Sequence, residues 1–204
     1  MTAYVHRRLL ALCAVGALVL TGCSESLPQT EAAPHPSTQE ESPTPDSEPI
    51  PKFDVPEYTT DLDLTAEEML AAEEALIGLQ RYIFVSEQVM KSGGEDTLHI
   101  DSVSVGEAKE GLEETASDFR KDHTVLFGKL VTQDLHIHEM DRAPKKTEET
   151  TVSACLPKET WGIRNANEDE SEADYEDPYQ MIWTLQKHGS SWKVSLQELY
   201  SEHC

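Results

Sequence analysis

The chain has 204 residues, a length for one or two domains. Thirty-nine acidic residues against 16 basic ones give a formal net charge of −23. That balance disfavours nucleic acid, whose binding needs a basic stripe, and an anionic bilayer would repel the body of the protein, so any membrane contact must be covalent or apolar.

At the N-terminus Arg7 and Arg8 precede Leu9–Leu20, an unbroken run of apolar and small residues. At about 12 residues it is too short for a hydrocarbon core of ~30 Å, which takes about 20. It has the length of a signal-peptide core. No later segment approaches a transmembrane span: the stretch from Ala75 to Met90 is interrupted by Gln80, Arg81, Glu87 and Gln88.

Leu20-Thr21-Gly22-Cys23 follows directly. It closely resembles the lipobox of bacterial lipoproteins. The resemblance implies that the Cys23 thiol is acylated and the chain cut just before it. Residues 1–22 are then a lipoprotein signal peptide, Cys23 is the lipid-attachment residue, and the protein sits on the extracytoplasmic face of the cell membrane. Two or three acyl chains, at ~0.8 kcal/mol per buried CH₂, hold a domain firmly to a bilayer. The competing reading is an ordinary secretory signal with an incidental cysteine.

Cysteine usage simplifies on this reading. Cys13 leaves with the signal and Cys23 carries lipid, so Cys155 and Cys204 remain. In an oxidising compartment a leftover pair reads most simply as one disulfide. Two free thiols are the alternative, and no CxxC spacing supports zinc. Such a bridge closes a loop of about 50 residues, worth ~4 kcal/mol in the chain-entropy model.

Residues 24–57 hold eight of the eleven prolines with many Ser, Thr and Glu. So little apolar surface cannot offset ordering entropy. Residues 23–57 are therefore predicted to be a lipidated, disordered, extended tether.

The folded part is predicted over residues 58–204. Thr65 and Glu68 form a capping-box pattern. Met69, Ala72, Leu76, Leu79, Ile83 and Met90 then recur at helical spacing, with Leu70 and Tyr82 broadening the face. Gly93-Gly94 stops this helix. A second helical stretch lies within 100–122, with Leu112, Thr115 or Ala116, and Phe119 as its inner face. Beyond Asp122 the period becomes two. Phe127, Val131, Leu135 and Ile137 share one side of a long strand. Val152, Ala154 and Leu156 share one side of the next, with Cys155 on the other. Tyr179, Met181, Trp183 and Leu185, a short Gly189-Ser190 turn, then Trp192, Val194 and Leu196 make the clearest hairpin. Helices followed by about four antiparallel strands give an α+β fold.

This order resembles the NTF2-like (SnoaL-like) domain of small exported lipoproteins from high-GC Gram-positive bacteria. The capped first helix, Gly128-Lys129-Leu130, Ala154-Cys155, the run His188-Gly189-Ser190-Ser191-Trp192-Lys193-Val194 and terminal Cys204 carry the likeness. It implies a cone: N-terminal helices on a curved antiparallel sheet, with a pocket between them. It also implies pairing of the strand cysteine, Cys155, with the C-terminal Cys204. Such cones host isomerases and dehydratases as well as pure binding modules, so the fold alone confers no activity.

His136 and His138 project together from a strand, with Asp134 and Met140 near, a plausible metal set. The other side of that strand looks like the core face, which puts the pair towards solvent, and no metal is expected. Asn165–Asp177 carries seven carboxylates. It lacks the glycine and ligand spacing of a calcium loop and reads as a solvated connection. An isomerase needs a buried base beside a hydrogen-bond donor; Asp134, Tyr82 and Tyr179 are the candidates, with no spacing to support them. No GxSxG nucleophile motif and no phosphate-cradling loop are present. Trp161, Trp183 and Trp192 read as core or pocket wall. The expected function is a non-catalytic binding or interaction module of the cell envelope. It would need no cofactor, and would engage an envelope protein or a small apolar ligand. A small-molecule isomerase or dehydratase is the alternative. Cys23→Ala is expected to leave an uncleaved precursor without incorporated lipid label; normal processing of that variant would overturn the anchor.

Overall fold

Thr65 caps the first long helix as the sequence predicts. Its hydroxyl accepts from the Glu68 backbone N–H at 3.3 Å, and its own N–H donates to Glu68 Oε2 at 2.8 Å. Helix α1 runs Ala66–Lys91, 26 residues, or about 39 Å at ~1.5 Å per residue. The computed structural model describes residues 48–142, 147–157, 160–168 and 177–204, and the backbone of 174–175. The signal peptide, Cys23 and the tether through residue 47 lie outside the described residues, as does much of the acidic run Asn165–Asp177.

The buried stripe of α1 is Ala71, Ala72, Ala75, Leu76, Gly78, Leu79, Tyr82, Ile83, Val85, Ser86 and Val89. Met69 and Leu70, expected inside, are 43% and 58% exposed. They stand at the fourth and fifth positions of the helix, ahead of the small residues Ala71, Ala72 and Ala75 that seat it on the sheet. Gly94 ends the helix at φ +83°, donating to the Val89 carbonyl at 2.8 Å. Only glycine fits there, since a Cβ would lie 1.9 Å from the Ala116 carbonyl oxygen.

Two helices occupy the stretch expected to hold one: α2 (Ile100–Val103) and α3 (Gly106–Asp122). Ala108, Leu112, Ala116 and Phe119 form the inner face of α3. Of the two candidates near its middle, Ala116 is buried. Thr115 turns its hydroxyl back to the Gly111 carbonyl at 2.8 Å.

The strands are β1 (Thr59–Thr60), β2 (Thr124–Gly128), β3 (Gln133–Asp141), β4 (Glu149–Leu156), β5 (Trp161–Asn165), β6 (Asp174–Tyr175), β7 (Tyr179–His188) and β8 (Ser191–Ser201). A five-stranded sheet has the order β1-β3-β4-β7-β8, and a second sheet the order β2-β5-β6. The fold is thus α+β, with α1 and α3 both against β8. Four strands, β3, β4, β7 and β8, pair antiparallel as expected. Three features differ from the expectation. The main sheet is mixed, because β1 joins its edge parallel to β3. The long strand read from Leu126 to Met140 breaks at 129–132, so Phe127 and Leu135 belong to different sheets. The strand read from Thr150 to Ile163 likewise splits into β4 and β5. Periodicity continues across each break, so it does not reveal them.

Of the four register slips in the main sheet, two set which side chains face inward beside the histidines and the cavity. Between Gln133 and His136 the β3–β4 register slips, with Asp134 at φ +52°. An aspartate tolerates this left-handed conformation better than most residues. The slip leaves Leu135 and Ile137 buried and His136 and His138 on the outer face. A second slip lies where Thr184 pairs Leu196 but Leu185 pairs Val194. It turns Leu196, expected inside, to the Thr184 side and brings Gln197 opposite Trp183.

Packing begins before Tyr58. Ile50 lies against the main core, and Phe53 meets Phe84 of α1 edge-on, ring centroids 6.0 Å apart. At the other end Cys204 reaches across β7 to Cys155 of β4. Their sulfurs stand at disulfide distance, 2.01 Å, with Cα atoms 5.7 Å apart. Among the described residues no helix is long and apolar enough to cross a membrane.

Gly78 marks the tightest helix–sheet contact. A Cβ there would sit 2.8 Å from Trp192 Cβ and 2.9 Å from its carbonyl oxygen. Gly78→Ala is therefore expected to destabilise the protein by about 1–3 kcal/mol through overpacking, against the ~1 kcal/mol gain that alanine brings to an open helix position. Denaturant unfolding checks this; a gain in stability would show that α1 moves away from the sheet freely.

Candidate functional site

Beyond Gly78, α1 no longer touches the sheet so closely, and a cavity of about 330 Å³ opens between α1, α3 and the inner sheet face. That volume lies at the small end of ligand pockets. One wall is a stripe of α1: Tyr82, Ile83, Ser86 and Met90. The facing wall is a stripe of α3: Glu107, Ala108, Gly111, Leu112 and Thr115. Both follow the three-to-four-residue repeat that places side chains on one helix face. The floor comes from Leu156, Tyr179, Met181, Trp183 and Gln197, and Leu130 and Trp161 close one side. The helical walls carry several small side chains, so facing stripes leave space that larger residues would fill.

The polar groups of this cavity are few. Trp183 Nε1 donates to Gln197 Oε1 at 3.0 Å. Burial pushes the Tyr82 phenol up to about 12, with a hydrogen bond from Ser86 partly opposing it. Tyr82 is thus a neutral hydroxyl at any physiological pH. The Trp161 indole N–H is buried and has no hydrogen-bond partner among the described residues. Glu107 is the charged residue among those lining the cavity; it is exposed and lies at the rim.

Of the residues singled out as an acid–base set, Tyr82 and Tyr179 line the cavity and Asp134 does not. Asp134 sits in the β3 irregularity, exposed, beside a shallow groove with Gln80 and Val131. Trp161 and Trp183 form cavity wall, whereas Trp192 lies in the core under Gly78. Sequence reasoning did not find Ser86, Gly111 or Gln197, and it offered Thr115 only as an alternative to Ala116 on the inner face of the second helix. Ser86 and Gly111 sit on the recognised helix faces and were signalled by their spacing. Gln197 was hidden by the β8 irregularity.

The histidine pair stands on the opposite face of the main sheet. The His136 and His138 rings are 4.6 Å apart, and Tyr200 is 6.1 Å from His138. His136 Nδ1 pairs with Thr59 Oγ1 at 3.0 Å, and its Nε2 is 3.9 Å from Asp61 Oδ2. His138 Nε2 pairs with the buried Ser153 hydroxyl at 2.8 Å. The nearby carboxylate is therefore Asp61, brought in by β1, and not Asp134. No cluster of three or more His, Cys, Asp or Glu suited to a metal occurs among the described residues.

No family model and no curated protein matches the chain. Among solved structures it is similar to the intermembrane space region of the chloroplast protein ARC6, with a TM-score of 0.45 and 9% identity, over 61% of this chain and 92% of that one.

The His138 pKa is depressed, by partial burial and then by the neighbouring His136, with Asp61 pulling the other way. As pH falls through about 6.5 the unfolded chain takes up this proton before the folded one does, so stability is lost on acidification. His138→Gln is expected to shrink the fall in melting temperature between about pH 7.5 and 5.5. An unchanged fall would show that other groups carry the acid sensitivity.

Proposed function

We propose that this protein is a membrane-anchored extracytoplasmic lipoprotein whose folded domain is a non-catalytic binding module for a small, largely apolar molecule. The single observation that carries the binding reading is the cavity of about 330 Å³ walled by Ile83, Met90, Leu112, Leu156, Met181 and Trp183. A concave, mostly apolar space with a few convergent polar groups is the usual form of a ligand site. The anchor reading rests on the Leu20-Thr21-Gly22-Cys23 pattern and the proline-rich stretch behind it. An NTF2-like cone is the arrangement we assign to the domain: two helices over the concave side of a bent sheet, with the pocket between.

The isomerase alternative finds less support. Its reaction requires a base that removes a proton inside the pocket. Tyr82 is held protonated, and the one carboxylate among the described lining residues, Glu107, faces solvent at the rim. These groups suit holding a neutral molecule better than transforming one.

Thermal unfolding with N-phenyl-1-naphthylamine, a neutral apolar fluorophore, tests the reading. Saturating probe is expected to raise the melting temperature, by mass action on the folded state, and to brighten on binding. Ala108→Trp, which fills the cavity from α3, should abolish both effects while retaining the circular dichroism of the wild type. Absence of both effects in the wild-type protein would overturn the apolar ligand site.

A further inference from the structure

We infer that the second half of β8 is a docking edge for an extended, basic polypeptide segment, which joins the main sheet as a further strand. This goes beyond the small-molecule reading of the cavity and does not depend on it.

β8 ends the order β1-β3-β4-β7-β8, so one side of its backbone faces away from the sheet. The first half of that side is covered. Ser104 bridges Val194, and the Val105 N–H donates to the Val194 carbonyl at 2.9 Å. Lys193 Nζ donates to the Asp101 carbonyl at 2.6 Å. At Gly106, beside the Ser195 carbonyl, the chain leaves this line and enters α3. From Leu196 onward no strand pairs with the outer side of β8 among the described residues.

That open run is regular. Leu196, Gln197, Glu198 and Leu199 pair with Thr184, Trp183, Ile182 and Met181 in unbroken register. The two slips of this strand pair bracket the run and do not interrupt it. Its outward N–H and C=O groups therefore keep the spacing of a ladder, which a further strand can complete. Sheet edges are commonly blunted by lysine or proline. Neither occurs between Leu196 and Ser201, and Gln197–Tyr200 are all exposed.

The chemistry of the added strand follows from the two faces of the edge. Leu199 pairs with Met181 and so shares the cavity-side face, whereas Tyr200 lies beside His138 on the other. Both are more than half exposed, at 57% and 58%. Glu198 shares the histidine side, through Ile182 and Ser153 to His136. On that side a depression is lined by Glu107, Glu149 and Leu196, with no Lys or Arg among its described lining residues. A strand laid on the edge sends alternate side chains to opposite faces. Apolar ones then cover Leu199, and basic ones meet Glu198, Glu107 and Glu149. The formal charge of −23 favours a cationic partner and opposes a second copy of this chain.

Fluorescence anisotropy on the full chain at low salt tests this with a labelled hexapeptide of alternating lysine and valine. It is expected to bind saturably, and at least about tenfold more tightly than the glutamate–valine peptide of the same length. Glu198→Lys, at an exposed side chain, should weaken the lysine peptide at least about fivefold. Two further peptides carry backbone N-methyl groups on the lysines or on the valines. Only alternate residues of an added strand donate to β8, so one of the two should lose at least about tenfold in affinity while the other binds. These peptides keep the inference testable if Glu198→Lys misfolds. No binding of the lysine peptide, equal affinity for the glutamate peptide, unaltered binding by Glu198→Lys, or binding by both methylated peptides overturns the inference. So does a chain that sediments as a dimer and excludes the peptide, because a second copy then holds the edge. None of these outcomes touches naphthylamine binding, which tests the cavity.

Discussion

The contact on which the rest of the domain depends is the seating of α1 at Gly78 against Trp192. With no side chain on one partner, helix and strand backbones approach to a separation that a single methyl group would spoil. The alanines before it, Ala71, Ala72 and Ala75, extend that close seat. The turns after it, from Tyr82 to Met90, instead face the cavity. One end of a 26-residue helix is thus pinned to the sheet while the other forms a wall. Interiors are close-packed, so a void of this size survives only where the surrounding elements are held apart by contacts made elsewhere. Here those contacts are Gly78 on Trp192, Gly94 under the Ala116 carbonyl, and α3 on β8.

Strand irregularities then decide what the frame presents on each face. The slip at Asp134 puts Leu135 and Ile137 into the core and leaves the histidines outside, where Thr59, Asp61 and Ser153 receive them. The slip in β8 sends Leu196 outward and places Gln197 over Trp183, so that an amide satisfies an indole at the cavity floor. In both cases one extra residue reverses the side on which the next side chains lie, because strand side chains alternate with a period of two. The chemistry of the two faces is a consequence of where the extra residues fall.

The ends of the domain are tied down by different means. At the start, Ile50 and Phe53 pack on the core and α1, and β1 adds two residues to the sheet edge. At the finish, Cys204 crosses β7 to Cys155. Because Cys155 is on the outer face by alternation, the chain end closes over the side of the sheet opposite the cavity. A cross-link there restrains the unfolded chain without intruding on the pocket.

The sequence by itself determined the local elements. The Thr65–Glu68 box, the helical repeat of α1, the Gly93-Gly94 stop, the β7–β8 hairpin and the α+β class all rest on interactions within a few residues, which a linear pattern records directly. The alternation of Val152, Ala154 and Leu156 against Cys155 belongs with them. Tertiary structure decided the rest. Only three-dimensional packing separates β2 from β3 and β4 from β5, because alternation runs on through the breaks. Only it turns Met69 and Leu70 outward, exchanges Asp134 for Asp61 beside His136, and puts Gln197 rather than Leu196 on the cavity floor. Each of these depends on partners 12 to more than 70 positions away in the chain, and no window of neighbouring residues carries that information. The cavity is the clearest case: its walls were visible as two helix faces, but its emptiness is a property of their separation, which a contact at Gly78 sets from outside it.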